Sequence, residues 1–217
     1  MEKSRRTQYI AIIALVIGVV GLSIGFSAFS SVLQIQSSAT VKPDSSTMNV
    51  DFSSSSTEVL TEKITPTVTG TTATATDATI DNTSAPTISN LSATFTAPGQ
   101  KAVYSFYAYN AGELEAFLKS IVYSNATGGT APKVCTAKSG TTDTLVQNAC
   151  NGISLKVKVG TEAEVSGGKA GITTHSWAKK TSEKVEVTIE YAADADRADG
   201  DFTVSFGDVT LNYSSTD

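Results

Sequence analysis

The residues able to do chemistry are few. A single histidine, His175, sits in "GITTHSWAKK", and any Ser-His-Asp arrangement would have to use it. No serine stands in a G-x-S-x-G setting, and H-E-x-x-H, G-x-x-x-x-G-K and a dinucleotide fingerprint are all absent. His175 therefore reads as a surface side chain, and we expect no enzyme. Two cysteines and one histidine are too few for an all-Cys/His zinc site. Outside a cell, Cys135 and Cys150 are expected to form a disulfide. The loop between them holds 14 residues, for which closure is worth ~3 kcal/mol. The alternative is two free, buried thiols.

The run "AADADRADGD" carries Asp194, Asp196, Asp199 and Asp201 within eight residues. Oxygen-rich extracellular loops bind calcium weakly, although this spacing lacks the ligand order and glycine of an EF-hand. The competing reading is an acidic hairpin turn at Asp199-Gly200. Calcium is the only cofactor the residues suggest. Trp177 and the tyrosines of "VYSFYAYN" could present a sugar-binding face, but aromatics alternating along a strand more often fill a core. Asn82, Asn90, Asn125 and Asn212 open N-x-S/T triplets, which become glycosylation sites only in a host that glycosylates. A Lys–Asn isopeptide crosslink would need a buried lysine, asparagine and acid together.

These side chains lie downstream of an apolar leader. Tyr9–Phe29 is 21 residues without a charge, a length that spans ~31 Å as a helix, about one hydrocarbon core. Lys3, Arg5 and Arg6 precede it, so the chain after residue 30 is expected outside the cell. Its length suits a transmembrane anchor retained as a single pass. Its small residues (Ser23, Gly25, Ser27, Ala28 and Ser30) suit signal-peptide cleavage after Ser27 or Ser30. Both readings stand. With no second apolar segment and no C-terminal sorting motif in the sequence, the leader is the expected attachment.

The chain holds 16 Lys+Arg and 21 Asp+Glu; the first 30 residues take three and one of these, leaving 13 and 20 outside, a net −7. An acidic ectodomain of this kind argues against nucleic acid and anionic membrane surfaces as partners. The 187 residues after the leader are enough for one domain with a real core.

Alternation dominates that part. "SVLQIQSSATVK" sets Leu33 and Ile35 against Gln34 and Gln36, and "STMNVDF" puts Met48, Val50 and Phe52 on one face; both predict strands. Residues 53–79 contain 14 Ser or Thr among 27 and read as a solvated linker or as an exposed edge strand. Within them "TATAT" is similar to the threonine ladders of ice-binding proteins, but it does not repeat at a solenoid period, and no such function is assigned. "TISNLSATFT" predicts a strand, "APGQ" a turn, "KAVYSFYAYN" a strong strand, "NAGE" a second turn, and "LEAFLKSIVYS" another strand. "NATGGTAPK" and the Cys135–Cys150 segment read as an excursion from the sheet. "GISLKVKV", "KVEVTIEYA", "DFTVSFGD" and "VTLNYS" show the alternation of antiparallel strands with one buried face. The expectation is an all-β fold of seven to nine strands: an antiparallel β-sandwich, jelly-roll or Ig-like, preceded by one N-terminal hydrophobic helix. The organisation is residues 1–30 as signal peptide or anchor, 31–46 as an N-terminal strand and linker, and 47–217 as the ectodomain, with its Ser/Thr-rich segment at 53–86.

The chain resembles the TasA/camelysin family of secreted bacterial surface-fibre and biofilm-matrix proteins. Three stretches carry the resemblance. One is the leader ending "GFSAFSS", followed by a short strand and "STMNVDF". The second is "APGQKAVYSFYAYNAGEL", similar to that family's P-G turn, strand and N-x-G-x-L. The third is "KVEVTIEY" with "DGDFTVSFGDVTLNY". The Ser/Thr-rich insert and the cysteine pair depart from the family. Camelysins are described as metallopeptidases, but this chain has no histidine-based zinc site, and that activity is not carried over. The resemblance implies a non-catalytic extracellular fibre, pilus or matrix subunit that self-associates by donor-strand exchange. A donor strand in residues 31–42 would use Val32, Leu33, Ile35 and Val41; alternatively, this strand pairs within its own domain. The rival function is a membrane-anchored Ig-like module that binds glycan or calcium.

Overall fold

The computed structural model describes residues 15–16, 48–57, 62–83, 85–124, 130–166, 169–170 and 176–215, and the chain divides into two compact units, residues 1–42 and 43–217. In the first unit Leu15 and Val16 are helical and exposed. Among the described residues no helix is long and apolar enough to cross a membrane. The rest of the leader, and Val32, Leu33, Ile35 and Val41, lie outside the described residues.

The second unit consists mostly of antiparallel strands. In chain order these are β1 (Val50–Ser53), β2 (Lys63–Ile64), β3 (Thr67–Thr69), β4 (Thr74–Ala75), β5 (Ala78–Asp81), β6 (Thr87–Ser89), β7 (Ser92–Phe95), β8 (Lys101–Asn110), β9 (Ala116–Tyr123) and β10 (Lys133–Ala137). A single described helix of the unit, α1 (Asp143–Asn151), precedes β11 (Ile153–Val159), β12 (Lys169–Ala170), β13 (Ser176–Trp177), β14 (Ser182–Tyr191), β15 (Phe202–Phe206) and β16 (Val209–Ser214). They form three sheets. The five-stranded sheet runs β1-β8-β14-β11, with β3 beside β1 on the same side of β8. The four-stranded sheet runs β10-β15-β7-β4, and the seven-stranded one β12-β9-β16-β6-β5-β2, with β13 also on β9.

Alternation builds the core. In β8, Tyr104, Phe106 and Ala108 turn inward, and in β14 Val185, Val187, Ile189 and Tyr191 do the same. Phe95, Phe202 and Val204 join them from the four-stranded sheet, and Ile88, Leu118 and Leu211 from the seven-stranded sheet, all in one hydrophobic cluster. Each such side chain removes enough apolar area from water to stabilise the fold by about 1.5–3 kcal/mol. Phe52 and Phe106 meet edge-on, with ring centroids 4.7 Å apart. Tyr104 ties two sheets together: its hydroxyl donates to the carbonyls of Thr76 (3.1 Å) and Ser92 (3.0 Å).

Several expectations need correction. "TISNLSATFT" is two strands in two different sheets, because Asn90 takes a left-handed conformation (φ 60°). Asparagine tolerates that region, and the Asn90 amide donates to the Asp77 carbonyl at 2.9 Å. The Ser/Thr-rich segment is neither a linker nor one edge strand: β2 to β5 distribute themselves over all three sheets. It supplies much of the excess over the expected seven to nine strands. Asp199-Gly200 is not a hairpin turn, since β14 and β15 belong to different sheets. The cysteine segment contains a helix.

Candidate functional site

The residues that carry the family resemblance act as turn locks at the two ends of β8. At its start, Gly99 has φ 86°, a conformation that glycine adopts without strain. The buried Gln100 side chain folds back over this turn, its Oε1 accepting from Thr96 N (2.8 Å) and Ala97 N (3.2 Å) and its Nε2 donating to Thr96 Oγ1 (2.9 Å). At its end, Asn110 is fully buried. Its Nδ2 donates to the Leu114 carbonyl (2.8 Å), and its Oδ1 accepts from Gly112 N (3.1 Å). The N-x-G-x-L spacing is thus a closed hydrogen-bond circuit in which a buried amide satisfies the backbone of its own turn. Asn110 also exchanges backbone bonds with Thr181 and Lys180, and Gly112 N donates to Asn49 O. Three chain segments converge on this turn. Lys133, a partly buried lysine, engages other partners, so these two residues do not form the isopeptide arrangement.

The four aspartates are not gathered around a common point. Asp194 and Asp196 are exposed, and it is the Asp196 carbonyl that accepts the Tyr191 hydroxyl (2.5 Å). The Asp201 carbonyl accepts from Lys138 N and Thr141 Oγ1. Among the described residues no group of three His, Cys, Asp or Glu could hold a metal ion. Asp199 instead binds the start of α1, where its carboxylate accepts from Thr142 N (2.9 Å) and Thr142 Oγ1 (2.5 Å). These bonds hold its pKa below the ordinary 3.8. An anion beside a helix N-terminus also opposes the positive end of the helix dipole.

The helix is fixed from three directions. Cys135 in β10 and Cys150 in α1 form the expected disulfide. Lys133 Nζ donates to the carbonyls of Cys150 and Ile153, both at 2.6 Å, and burial pushes its pKa down. Gly152 follows the helix where a Cβ would lie 2.1 Å from Ala195 Cβ, so only glycine lets the acidic loop pack there.

Edge closure recurs around the molecule. Gln147 of α1 donates to the Cys135 carbonyl (3.3 Å) on β10, the outermost strand of its sheet. Along β11, Val157 exchanges backbone bonds with Val165 (2.8 and 2.9 Å). On β1, Phe52 N donates to Asn82 Oδ1 (2.8 Å) and Phe52 O accepts from Asn82 Nδ2 (3.0 Å). One side-chain amide stands there where a neighbouring strand would. Such devices cover the edges of β10 and β11, whereas on β1 the cover is a single side chain.

An open groove of about 520 Å³ crosses the outer face of the five-stranded sheet, lined by Lys101, Lys156, Lys158, Glu164, Glu186 and Glu190 among others. Lys156 pairs with Glu190 and reaches Glu164 at 3.9 Å. Exposed pairs of this kind are worth about 0–1 kcal/mol. Trp177 is interior, 5% exposed, with its ring edge-on to Tyr213 at 4.9 Å; it offers no platform for a sugar. Asn82 and Asn90 spend their amides on backbone partners, and Asn212 donates to Ser120 Oγ. His175 and Asn125 lie outside the described residues. Comparison with protein-family models, curated proteins and solved structures found no match.

Proposed function

We propose that the chain is a non-catalytic, extracellular structural protein: a subunit of a surface fibre, pilus or biofilm matrix, built on a β-sandwich of jelly-roll or Ig-like type. Assembly proceeds by donor-strand exchange, with residues 31–42 of one subunit adding to a sheet of the next. The observation that carries this reading is the β1 edge. Its outward Phe52 N and O are held by a single side chain, Asn82, and an incoming strand can replace one amide at little cost, since it restores the same two hydrogen bonds. The alternating Leu33 and Ile35 supply apolar groups for a half-buried strand. Trp177 is interior, and among the described residues no group of three His, Cys, Asp or Glu could hold a metal ion, so neither the glycan nor the calcium alternative is favoured by a specific observation.

The test is deletion of residues 31–42 in the native host. Polymers should vanish from electron micrographs while the secreted module keeps its β-type circular dichroism and its disulfide. Polymers that persist after the deletion overturn the proposal.

A further inference from the structure

We propose that α1 is a redox-latched cover over a strand edge, and that opening the Cys135–Cys150 bond frees β10 to pair with β10 of a second copy. β10 is the outermost strand of its sheet. Which of its amides face outward follows from the register. Phe206 N donates to Leu91 O, so in β15 the backbone of Val204 and Phe206 points toward β7, and that of Thr203 and Ser205 points toward β10. Thr203 and Ser205 lie opposite Thr136 and Val134. Lys133, Cys135 and Ala137 therefore turn their N–H and C=O groups away from the sheet. Gln147 of α1 donates to one of these groups, the Cys135 carbonyl, at 3.3 Å. The element lying over this edge is the helix.

The covalent bond is what keeps the cover closed. α1 has nine residues, too few to persist alone in water, and it buries only Val146, Ala149 and Cys150. Its other fixings lie at its ends. Asp199 holds Thr142 before it, and Lys133 donates to the carbonyls of Cys150 and Ile153. With the bond open, residues 138–152 unwind into a connecting loop while β10 and β11 stay in their sheets. A dithiol reductant does this in balance: it forms its own S–S bond, and its two electrons and two protons leave Cys135 and Cys150 as thiols. These residues are 9% and 7% exposed, against 0% for Val146 and Ala149, so the bond sits nearer the surface than the rest of the helix's buried side. A second copy is the fitting partner because the outward row is complementary to itself. Under a two-fold axis through Cys135, each Cys135 faces its counterpart and Lys133 faces Ala137, so every outward N–H meets an outward C=O. On the outer face Val134, 66% exposed, then opposes Thr136, and β-branched side chains pair well across antiparallel strands. The Lys133 ammonium is engaged by the Ile153 carbonyl of β11 and does not project across the edge. This interface is separate from the β1 edge and from residues 31–42.

The test uses the full-length chain in detergent, oxidised and after dithiothreitol treatment without air. Reduction should speed hydrogen exchange in α1 and β10 ~30-fold or more. It should also raise the fraction of paired copies in sedimentation ~10-fold at equal concentration. Cys135→Ser with Cys150→Ser should pair without reductant, which separates strand pairing from an intermolecular disulfide. Ala137→Pro removes only an outward N–H and should stay unpaired when reduced. If it fails to fold, Val134→Lys, at an exposed edge position, replaces it. Deletion of residues 31–42 should leave the reductive step intact. Equal size or equal exchange in the oxidised and reduced chains overturns the proposal, as does pairing that survives in the folded edge variants. Pairing that is lost with residues 31–42 also overturns it and assigns the β10 edge to the donor strand.

Discussion

Asn110 shows how one side chain can hold a fold together. Removing its amide takes from Gly112 N one of its two acceptors, leaving Asn49 O, and takes from the Leu114 carbonyl its side-chain donor. Leaving buried polar groups unpaired costs about 1–3 kcal/mol each. Asn110→Ala should therefore lower the urea midpoint by an amount equivalent to ~1–3 kcal/mol; a loss below ~0.5 kcal/mol would refute the circuit. Asp199 makes a pH-dependent contribution. Its carboxyl pKa is lowered in the folded state by the Thr142 bonds. The stability it supplies is complete above the ordinary value of 3.8 and disappears as pH falls through the lowered one. Asp199→Asn should flatten the acid limb of a stability–pH profile and leave the neutral region less affected; an unchanged acid limb would show that the carboxylate does not hold Thr142 in solution. Glu113, held low by Lys180 and Lys179, and Glu186, held low by Lys184, act in the same direction.

At the scale of elements, α1 depends on its surroundings. It is nine residues long, too short to be stable alone in water. Its buried side is narrow: Val146, Ala149 and Cys150. The disulfide, Lys133 and Asp199 make up the difference. Replacing both cysteines by serine should cost ~2–4 kcal/mol, and hydrogen exchange should accelerate first in α1 and β10. Uniform acceleration across all three sheets would instead mean that the bond stabilises only the unfolded-state balance. Intact mass with and without reductant, a two-dalton gain marking the bond, checks the starting point.

The whole molecule pairs strands distant in sequence. Val50 faces Asn110 and Cys135 faces Val204, and the long strands step from sheet to sheet rather than folding into hairpins. Loop closure precedes the reward for such contacts, so refolding with the disulfide intact should take milliseconds to seconds; microsecond refolding would contradict this topology. Buried tyrosines set the alkaline limit. Burial raises Tyr104 and Tyr123 to about 12 and holds Tyr213 well above its ordinary value. A raised folded pKa gives stability that is complete below 10.0 and is lost as pH rises toward about 12. Tyrosinate absorbance should therefore appear together with loss of β-type dichroism above pH 10. Tyrosinate forming in a still-folded protein would place these hydroxyls in water.

Much was legible from local pattern. The period-two alternation in "KAVYSFYAYN", "KVEVTIEY" and "DFTVSF" determined strands β8, β14 and β15, and for the last two which face is buried, because a strand's side chains alternate regardless of its partner. The P-G-Q and N-A-G turns were readable for the same reason: their geometry is local. The cysteine pairing followed from there being two. The sequence alone did not determine that Asn90 divides a strand between two sheets, that a Ser/Thr-rich stretch feeds all three, or that Asp199 holds Thr142, the residue before α1, 57 residues away. Nor did it reveal that Asn82 closes β1 or that α1 covers β10. Each of these depends on which segments become neighbours after distant strands pair, and that is decided by burial of the shared core, which no local spacing encodes.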